Sequence, residues 1–305
     1  MEKILVIIIT YNAMNWAEKC LNSLRSSNIP VDVLIIDNGS NDGTQEFIKN
    51  SYPEVQLIQS PINLGFGKAN NIGLQKVLDE NYDFAYLLNQ DAWILPDTLE
   101  KLINAYHSNN GYEVLSPMQM EANEHKLDYN FAINVIGNLQ NISPKIISDL
   151  YTGQLESIYE VKFVMAAHWL ISRKCIEQVG GFSPTFPHYG EDDNYLNRVN
   201  YWNFKAGIVP SSIAVHDREN RTATKEKVLY ITKYIQVLVA VSNPNKPVNL
   251  SKYLKLYLRL FFSKKGDWIG KYLLRLYKER KQINLNFITS LNQCAFLKES
   301  RNESN

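Results

Sequence analysis

The stretch ILVIIITYN, residues 4–12, decides the fold of this chain, because six consecutive apolar residues run directly into a polar cluster. An apolar run of this length without alternation predicts a strand that is buried on both faces. The run is too short to predict a signal peptide, and no segment approaches the roughly 18 apolar residues that would span a bilayer. We therefore expect residues 4–9 to form an interior strand of a sheet.

Strand and helix patterns alternate through the first hundred residues. Apolar runs of strand length lie at Ile4–Ile9, Val31–Ile36, Val55–Ile58 and Phe84–Leu88, and helical spacing lies at Trp16–Leu24, Thr44–Lys49 and Gly67–Leu78. This order is typical of an α/β fold with a Rossmann-like, mostly parallel sheet flanked by helices. Polar clusters follow three of the strands, at residues 10–12, 37–40 and 89–91. Because the carboxyl ends of parallel strands meet at one edge, we expect these clusters to share one ligand crevice.

The composition, with 305 residues of which 45% are hydrophobic and 21% charged, is that of a soluble globular protein. The three cysteines lie far apart and predict neither a disulfide framework nor a zinc site, so we expect a cytoplasmic protein. The formal net charge is +1, but residues 246–281 carry eleven basic and two acidic side chains. We expect this basic segment at a surface, and nucleic acid is not an expected partner.

The C-terminal part has the pattern of basic amphipathic helices. Apolar residues recur at helical spacing with lysine and arginine between them, at Leu250, Tyr253, Leu254, Tyr257, Leu258 and Phe261, and again after residue 266. Such helices either lie in the interface of a membrane or pack an apolar stripe on the main domain, and the pattern leaves both open. We expect a main domain at 1–221, a helical extension at 222–298 with a peripheral membrane contact through 248–281 as one interpretation, and a disordered tail at 299–305.

Three adjacent acids, Glu191, Asp192 and Asp193, follow Gly190 where a helical pattern begins. Adjacent carboxylates raise one another's pKa, so a fold tolerates them in solvent, beside a cation or at the positive end of a helix. The pattern leaves two interpretations open, which are ordinary decoration of a helix N-terminus and a general base held at a cleft.

Several further residues could bind a ligand. Asp91 follows a buried strand and could hold Mn²⁺ or Mg²⁺ against a diphosphate, and His216 could add a nitrogen ligand. The alternatives are that Asp91 is an ordinary turn residue and that His216 forms its hydrogen bonds within the protein. Asp37 could accept from a nucleobase N–H, although its context is also a turn signal. His168 and Trp169 could form an aromatic wall for a sugar, although their apolar context favours the core.

Six short segments become recognisable together. In chain order they are IITYN at 8–12, IDNGSNDGT at 36–44, NLGFGKANNIG at 63–73, LLNQD at 87–91, VGGF at 179–182 and YGEDD at 189–193. Together they resemble family 2 glycosyltransferases of the GT-A fold, most closely the rhamnosyltransferase-like branch, over residues 4–217. Each segment alone is common, but the set in this order is specific.

The resemblance implies inverting transfer of a sugar from a nucleotide-diphosphate donor, such as a UDP or dTDP sugar, to a hydroxyl of a saccharide or lipid-linked saccharide. It implies that residues 1–221 bind the nucleotide sugar and catalyse the transfer. Asp192 would be the general base, tuned or oriented by Glu191 and Asp193. Asp91 and His216 would hold a divalent ion, Mn²⁺ or Mg²⁺. The positions for the nucleotide would be Thr10, Tyr11, Asn12, Asp37, Ser40, Gly67 and Asn70, and we expect the acceptor beside His168, Trp169 and Tyr189.

Two positions matter for how far the resemblance carries. Asn194 stands at the fourth place of the acidic motif, where many relatives have an acid, so any role of that acid towards the acceptor is altered here. Asn89 stands where the first acid of the Asp-x-Asp metal motif often lies. The rhamnosyltransferase-like branch commonly has Asn there, which weakens metal binding without excluding it.

Two other functions fit part of the pattern. A nucleotidyltransferase that makes nucleotide sugars would share the nucleotide-binding sheet, but we find no Gly-rich loop with the basic residues that activate a triphosphate. A catalytically inactive carbohydrate-binding protein would not need Asp192, Asp91 and His216 together. We expect a bacterial glycosyltransferase of cell-envelope polysaccharide biosynthesis at the inner face of the plasma membrane.

Overall fold

The computed structural model describes residues 2–218, 224–246, 248–262 and 268–298, and the tail predicted to be disordered lies outside these residues. The strands are β1 (Ile4–Thr10), β2 (Asp32–Asp37), β3 (Gln56–Gln59), β4 (Phe84–Asn89), β5 (Ala92–Ile94), β6 (Tyr112–Met120), β7 (Tyr159–Val161), β8 (His168–Ser172) and β9 (Lys205–His216). The helices are α1 (Ala17–Arg25), α2 (Thr44–Ser51), α3 (Phe66–Asp79), α4 (Thr98–Ser108), α5 (Tyr129–Phe131), α6 (Lys145–Thr152), α7 (Arg173–Val179), α8 (Glu191–Tyr201), α9 (Lys225–Leu229), α10 (Gln236–Val241), α11 (Leu250–Phe262) and α12 (Trp268–Thr289). A π-helical turn at Ala132–Ile136 follows α5, and another at Tyr230–Ile235 joins α9 to α10.

One nine-stranded sheet forms the centre of the molecule, in the order β3-β2-β1-β4-β8-β6-β9-β5, with β7 paired to β9. The first four strands pair in parallel, as the alternation of strand and helix predicts. β8 then runs antiparallel to both β4 and β6, and β5 and β7 run antiparallel to β9. The predicted α/β fold is confirmed, with a sheet that is parallel over its first half and mixed over its second.

The first strand is interior, as predicted. β1 lies between β2 and β4, so both of its edges are paired. Leu5 and Ile7 pack into one hydrophobic cluster, whereas Val6 and Ile8 pack into another with different members. Successive side chains of a strand point to opposite faces, so these two clusters lie on the two faces of the sheet.

The weaker sequence pattern of residues 111–162 predicts a partly irregular segment, but the structure places β6, a nine-residue strand, at its start. Three polar side chains, Glu113, Ser116 and Gln119, are buried within it, which breaks the apolar run that would have predicted a strand. Glu113 is satisfied by partners distant in sequence, because it accepts a hydrogen bond from Ser172 Oγ and lies 2.7 Å from Lys174 Nζ. Partners of this kind are invisible in a local pattern.

The helical extension is joined to the rest of the fold at both of its ends. Near its start, Tyr234 and Ile235 share a hydrophobic cluster with Phe186. Near its end, residues 294–298 contact the main domain beside α7 and at α3, and we call them the C-terminal clasp. Gly181 N–H donates to Ala295 O at 2.8 Å. The predicted domain boundary at 221 stays a prediction, and the extension packs on the main domain through both contacts.

Candidate active site

The carboxyl ends of β1, β2 and β4 bring the predicted polar clusters to one edge of the sheet. Thr10 lies opposite Asp37 in the parallel register, and Ile9 lies opposite Asn89. The side chains also touch, because Thr10 Oγ1 donates to Asp37 Oδ2 at 2.8 Å. The clusters therefore lie together, as expected from the parallel pattern.

Asp37 organises this edge. It is fully buried, and its carboxylate accepts hydrogen bonds from the Thr10 and Ser40 hydroxyls, the Gly39 and Ser40 backbone N–H groups and the Gln45 side chain. Burial raises the pKa of Asp37, but these bonds outweigh burial and hold it below the usual value. A carboxylate offers about four acceptor positions. A nucleobase N–H could therefore bind Asp37 directly only by displacing a donor such as Gln45, and its direct contact with a base stays a prediction.

The other predicted nucleotide positions differ in accessibility. Tyr11 is half exposed, and Asn12 beside it adopts a left-handed backbone with φ of +52°. Gly67 and Asn70 instead lie on the packed side of α3. A Cβ on Gly67 would lie 2.9 Å from Phe182 Cβ, and Asn70 is buried with its amide bonded inside its own helix. Tyr11 is thus open to a ligand, whereas Gly67 packs against Phe182 and Asn70 is buried within α3.

A cavity of about 1040 Å³ is lined by Asn89, at the end of β4, and by the start of α8. Its further walls come from residues 121–134, residues 163–167 and the helical extension at 227–240. This volume is at the upper end of small-molecule sites in proteins. The predicted site residues that line it are Tyr189, Glu191, Asp192 and Asp193.

The three acids occupy the first turn of α8, where the helix dipole favours negative charge. Gly190 precedes them with φ of +83°, a left-handed conformation that turns the chain into the helix. Burial, and then the charge of Asp192, raise the pKa of Asp193 to about 7 and also raise that of Glu191. Glu191 is 6% exposed, and its Oε2 has no hydrogen-bond partner among the described residues. The triplet is therefore mostly buried against the cavity, unlike ordinary surface decoration.

Asp192 is held by a backbone hydrogen bond. Its Oδ2 accepts from Ala166 N–H at 3.1 Å, which fixes the carboxylate at the cavity wall. Burial raises the pKa of Asp192, while the bond from Ala166 and the positive charge of Arg218 oppose that rise. Burial, rather than the neighbouring acids, is thus the main cause of its raised basicity. A fixed carboxylate of raised basicity at a cavity can act as a proton acceptor.

The pairing of β5 with β9 brings the two predicted metal ligands together. Ala92 lies opposite His216, and Asp217 N–H donates to Asp91 O at 2.8 Å. Asp91 Oδ1 lies 3.5 Å from His216 Nε2, and both residues are 1% exposed. A carboxylate oxygen and an imidazole nitrogen are a donor set that suits Mn²⁺.

Two features restrict what this pair could hold. Within residues 2–218 and the described parts of the extension, no group of three or more His, Cys, Asp or Glu side chains could surround a metal ion. A bound diphosphate would have to supply the remaining oxygens. His216 Nδ1 accepts from Arg218 Nε at 3.1 Å, which places the proton of a neutral ring on Nε2. Nε2 could bind an ion only after Arg218 released Nδ1 and the ring proton moved there.

The expectation of an aromatic wall at His168 and Trp169 is wrong, because both side chains are fully buried in the core. His168 bonds to Tyr86 Oη at 2.9 Å and to Val215 O at 3.0 Å, and burial lowers its pKa to about 3. Trp169 stacks on Phe182 with ring centroids 6.3 Å apart. Neither residue can touch an acceptor in the cavity.

Tyr189 lines the cavity together with three side chains that we did not predict, Asp128, Arg218 and Lys227. Lys227 Nζ lies 4.9 Å from the centroid of the Tyr189 ring, and Arg218 Nε lies 3.5 Å from Asp128 Oδ2. Arg218 follows His216 by two residues and could have been found from that spacing. Asp128 and Lys227 lie in segments whose patterns carried no site signal.

Comparisons with known proteins support the family and the fold. A family model described as glycosyl transferase family 2 matches residues 5–180. The chain is 25% identical over 235 residues to the N-acetylglucosaminyl-diphospho-decaprenol L-rhamnosyltransferase of Mycobacterium tuberculosis, over 71% of this chain and 76% of that protein. S. aureus TarS 1–349 in complex with UDP-GlcNAc matches with a TM-score of 0.57 and 16% identity, over 95% of this chain and 81% of that one. The mannosyltransferase PcManGT from Pyrobaculum calidifontis, in complex with GDP-Man and Mn²⁺, matches with a TM-score of 0.53 and 15% identity, over 95% and 72%.

Proposed function

This chain belongs to glycosyl transferase family 2, and we propose that it is an inverting enzyme that transfers a sugar from a nucleotide diphosphate to an acceptor hydroxyl. It is a glycosyltransferase of the GT-A fold, as the resemblance in sequence implied. The proposal of a single displacement depends on Asp192, which Ala166 N–H holds at the wall of the cavity.

The acceptor hydroxyl needs a base, because its pKa lies far above 7. In the proposed step the acceptor oxygen forms a bond to C1 of the sugar while the bond from C1 to the diphosphate oxygen breaks. The hydroxyl proton passes to Asp192 Oδ1, since Oδ2 already accepts from Ala166 N–H. Attack opposite the leaving group inverts C1, and the sugar passes through an oxocarbenium-like state, as in glycoside hydrolysis.

The leaving diphosphate needs positive charge. Arg218 supplies a guanidinium at the cavity, between His216 and Asp128. Asp91 and His216 would hold a divalent ion, Mn²⁺ or Mg²⁺, which when bound supplies Lewis acidity to the diphosphate. Thr10, Asp37 and Ser40 form the hydrogen-bonded edge on which we place the nucleoside, with the exposed Tyr11 and the partly buried Asn12 beside it.

We propose a UDP or dTDP sugar as donor and a lipid-linked saccharide as acceptor. The rhamnosyltransferase from M. tuberculosis is named for an acceptor on a diphospho-decaprenol lipid. TarS was solved with UDP-GlcNAc. In this chain the acceptor would occupy the cavity between Tyr189, Lys227 and the acid triplet. We place the reaction at the cytoplasmic face of a bacterial plasma membrane.

The test is Asp192→Asn, assayed by release of nucleotide diphosphate from a panel of nucleotide sugars with saccharide acceptors and Mn²⁺. We expect the rate to fall about 10²–10⁴-fold, with no loss of thermal stability because the change removes a buried carboxylate. The matched control is Asp97→Asn, an acid at the N-terminus of α4 that pairs with Lys101. NMR of the product gives the anomeric configuration.

Three results would contradict the proposal. If Asp192→Asn retained the wild-type rate, Asp192 would not be the base. If the product retained the anomeric configuration of the donor, the reaction would not be a single displacement. Diphosphate release from a nucleoside triphosphate and a sugar phosphate, without transfer from nucleotide sugars, would identify a nucleotidyltransferase instead.

A further inference from the structure

The outer face of α12 carries apolar and basic side chains in one stripe. We define the outer face as Lys271, Leu274, Tyr277, Lys278, Lys281, Leu285 and Ile288. Leu274, Tyr277, Leu285 and Ile288 are 53–55% exposed. Their successive spacings of three, eight and three residues keep them on one side of a helix. Large apolar residues that are exposed together on one side of a helix indicate a surface that binds a protein or a membrane.

These apolar side chains are not needed for packing within the chain. The opposite stripe of α12 supplies Ile269, Tyr272, Leu276 and Ile283 to the hydrophobic cluster that it shares with α10 and α11. All four of those residues are at most 5% exposed. Both stripes of α12 therefore carry large apolar side chains, and only one of the stripes is covered by protein in the described structure.

The charge around the outer face is mostly positive, although Lys271 pairs with Glu226 of α9 at 2.8 Å. Lys278 and Lys281 are exposed on it, and Lys252, Lys255 and Arg259 are exposed on α11. In the described residues 248–262 and 268–298 the only acid is Glu279, which accepts hydrogen bonds from Tyr234 and Arg275 rather than pairing with these lysines. Anionic lipid headgroups are complementary to such a surface.

We propose that the outer face of α12, together with the exposed basic residues of α11, docks the enzyme on an anionic lipid bilayer. Leucine, isoleucine and tyrosine side chains would enter the interface, and lysine and arginine would contact headgroups, as in interfacial helices. No described helix is long and apolar enough to cross a membrane. Membrane docking does not depend on the proposed function, but its biological purpose does. Docking would bring the cavity close to a lipid-linked acceptor, because residues 227–240 line the cavity and precede α11 and α12 in the chain.

The test uses the full chain in vesicle flotation, with phosphatidylcholine vesicles and with vesicles of phosphatidylcholine and phosphatidylglycerol in equal parts. One variant is Leu274→Gln with Leu285→Gln, and a second is Lys278→Gln with Lys281→Gln. The matched control is Ile147→Gln with Leu150→Gln, two half-exposed apolar residues of α6. Glutamine keeps helix propensity at all of these positions.

We expect the wild type and the control to float with anionic vesicles and less so at high salt. Each α12 variant should lower the bound fraction at least tenfold. Equal flotation of all variants would overturn the proposal. So would a concentration-dependent dimer, seen by sedimentation without lipid and lost in the Leu274 and Leu285 variant, because the face would then bind a second copy of the chain. Hydrolysis of nucleotide sugar, measured on the same samples, should be unchanged, so its absence would count against the proposed function and not against docking.

Discussion

Replacing Gly180 by alanine should detach the C-terminal clasp. Gly180 has φ of +84° and ψ of −149°, a region that is open almost only to glycine. An added Cβ would lie 2.0 Å from Ala295 O and 2.3 Å from Ala295 N. Because both are backbone atoms, no rotation of a side chain can relieve the contact, and the clasp has to move.

The magnitude follows from what the movement breaks. Backbone strain at position 180 costs about 1–3 kcal/mol. The displaced clasp loses the hydrogen bonds from Gly181 N–H to Ala295 O and from Lys298 N–H to Gln75 Oε1, which contribute about 0.5–1.5 kcal/mol each. We therefore expect the free energy of unfolding to fall by about 2–6 kcal/mol, a large part of the usual total of about 5–15 kcal/mol.

Urea unfolding measures the loss in the free energy of unfolding. Trypsin cleavage at Lys298 reports release of the clasp. The control is Gly153→Ala, because Gly153 also has a left-handed φ, +71°, but no atom lies within 4 Å of an added Cβ. This control should lose only about 1–2 kcal/mol from strain. An equal loss in the two variants, or unchanged cleavage at Lys298, would refute the account of the clasp.

Two further predictions concern α8. Asn194→Asp, which restores the acid common in relatives, should lower the free energy of unfolding at pH 7 by about 1–3 kcal/mol. The reason is that Asn194 is buried and its amide donates to Ser242 O at 3.3 Å. An unchanged urea unfolding curve would contradict this prediction. Asp193→Asn should stabilise the protein at pH 8 by about 1 kcal/mol or more and leave it unchanged at pH 4. A pKa raised to about 7 means that the folded state holds the proton more tightly, so the wild type loses stability as the pH rises from about 4 to about 7. Thermal melts of both proteins across this pH range check the sign, which would be reversed if Asp193 were paired with a cation.

The first half of the sheet could be predicted because parallel strands covered on both faces need apolar residues at nearly every position. β1, β2 and β4 meet that need, and their continuous apolar runs are visible in the local sequence. β6 could not be predicted, because its buried Glu113 is satisfied by Ser172 and Lys174, about sixty residues away. Whether a polar residue can be buried inside a strand depends on its hydrogen-bond and ion-pair partners, and only the folded chain shows those partners.

The acids of α8 and the closeness of Asp91 to His216 could be predicted from motifs, since each motif marks the end of a strand or the start of a helix. The burial of His168 could not be predicted, because its hydrogen-bond partners Tyr86 and Val215 lie on two other strands. The role of the extension in the cavity was also invisible. An amphipathic pattern shows that a helix has a covered face, but it does not show that Lys227 lines the cavity.

The clasp has a consequence for protein synthesis. Residues 294–298 leave the ribosome after all nine strands, so the sheet can assemble before they arrive. Until then Arg198, which ends wholly buried with bonds to the carbonyls of Val179 and Gly181, lacks the Phe296 ring that lies 5.3 Å from its guanidinium in the finished fold. We expect the nascent chain to keep this cation hydrated until the clasp has been made. The water around the guanidinium would then be lost only after the sheet has formed.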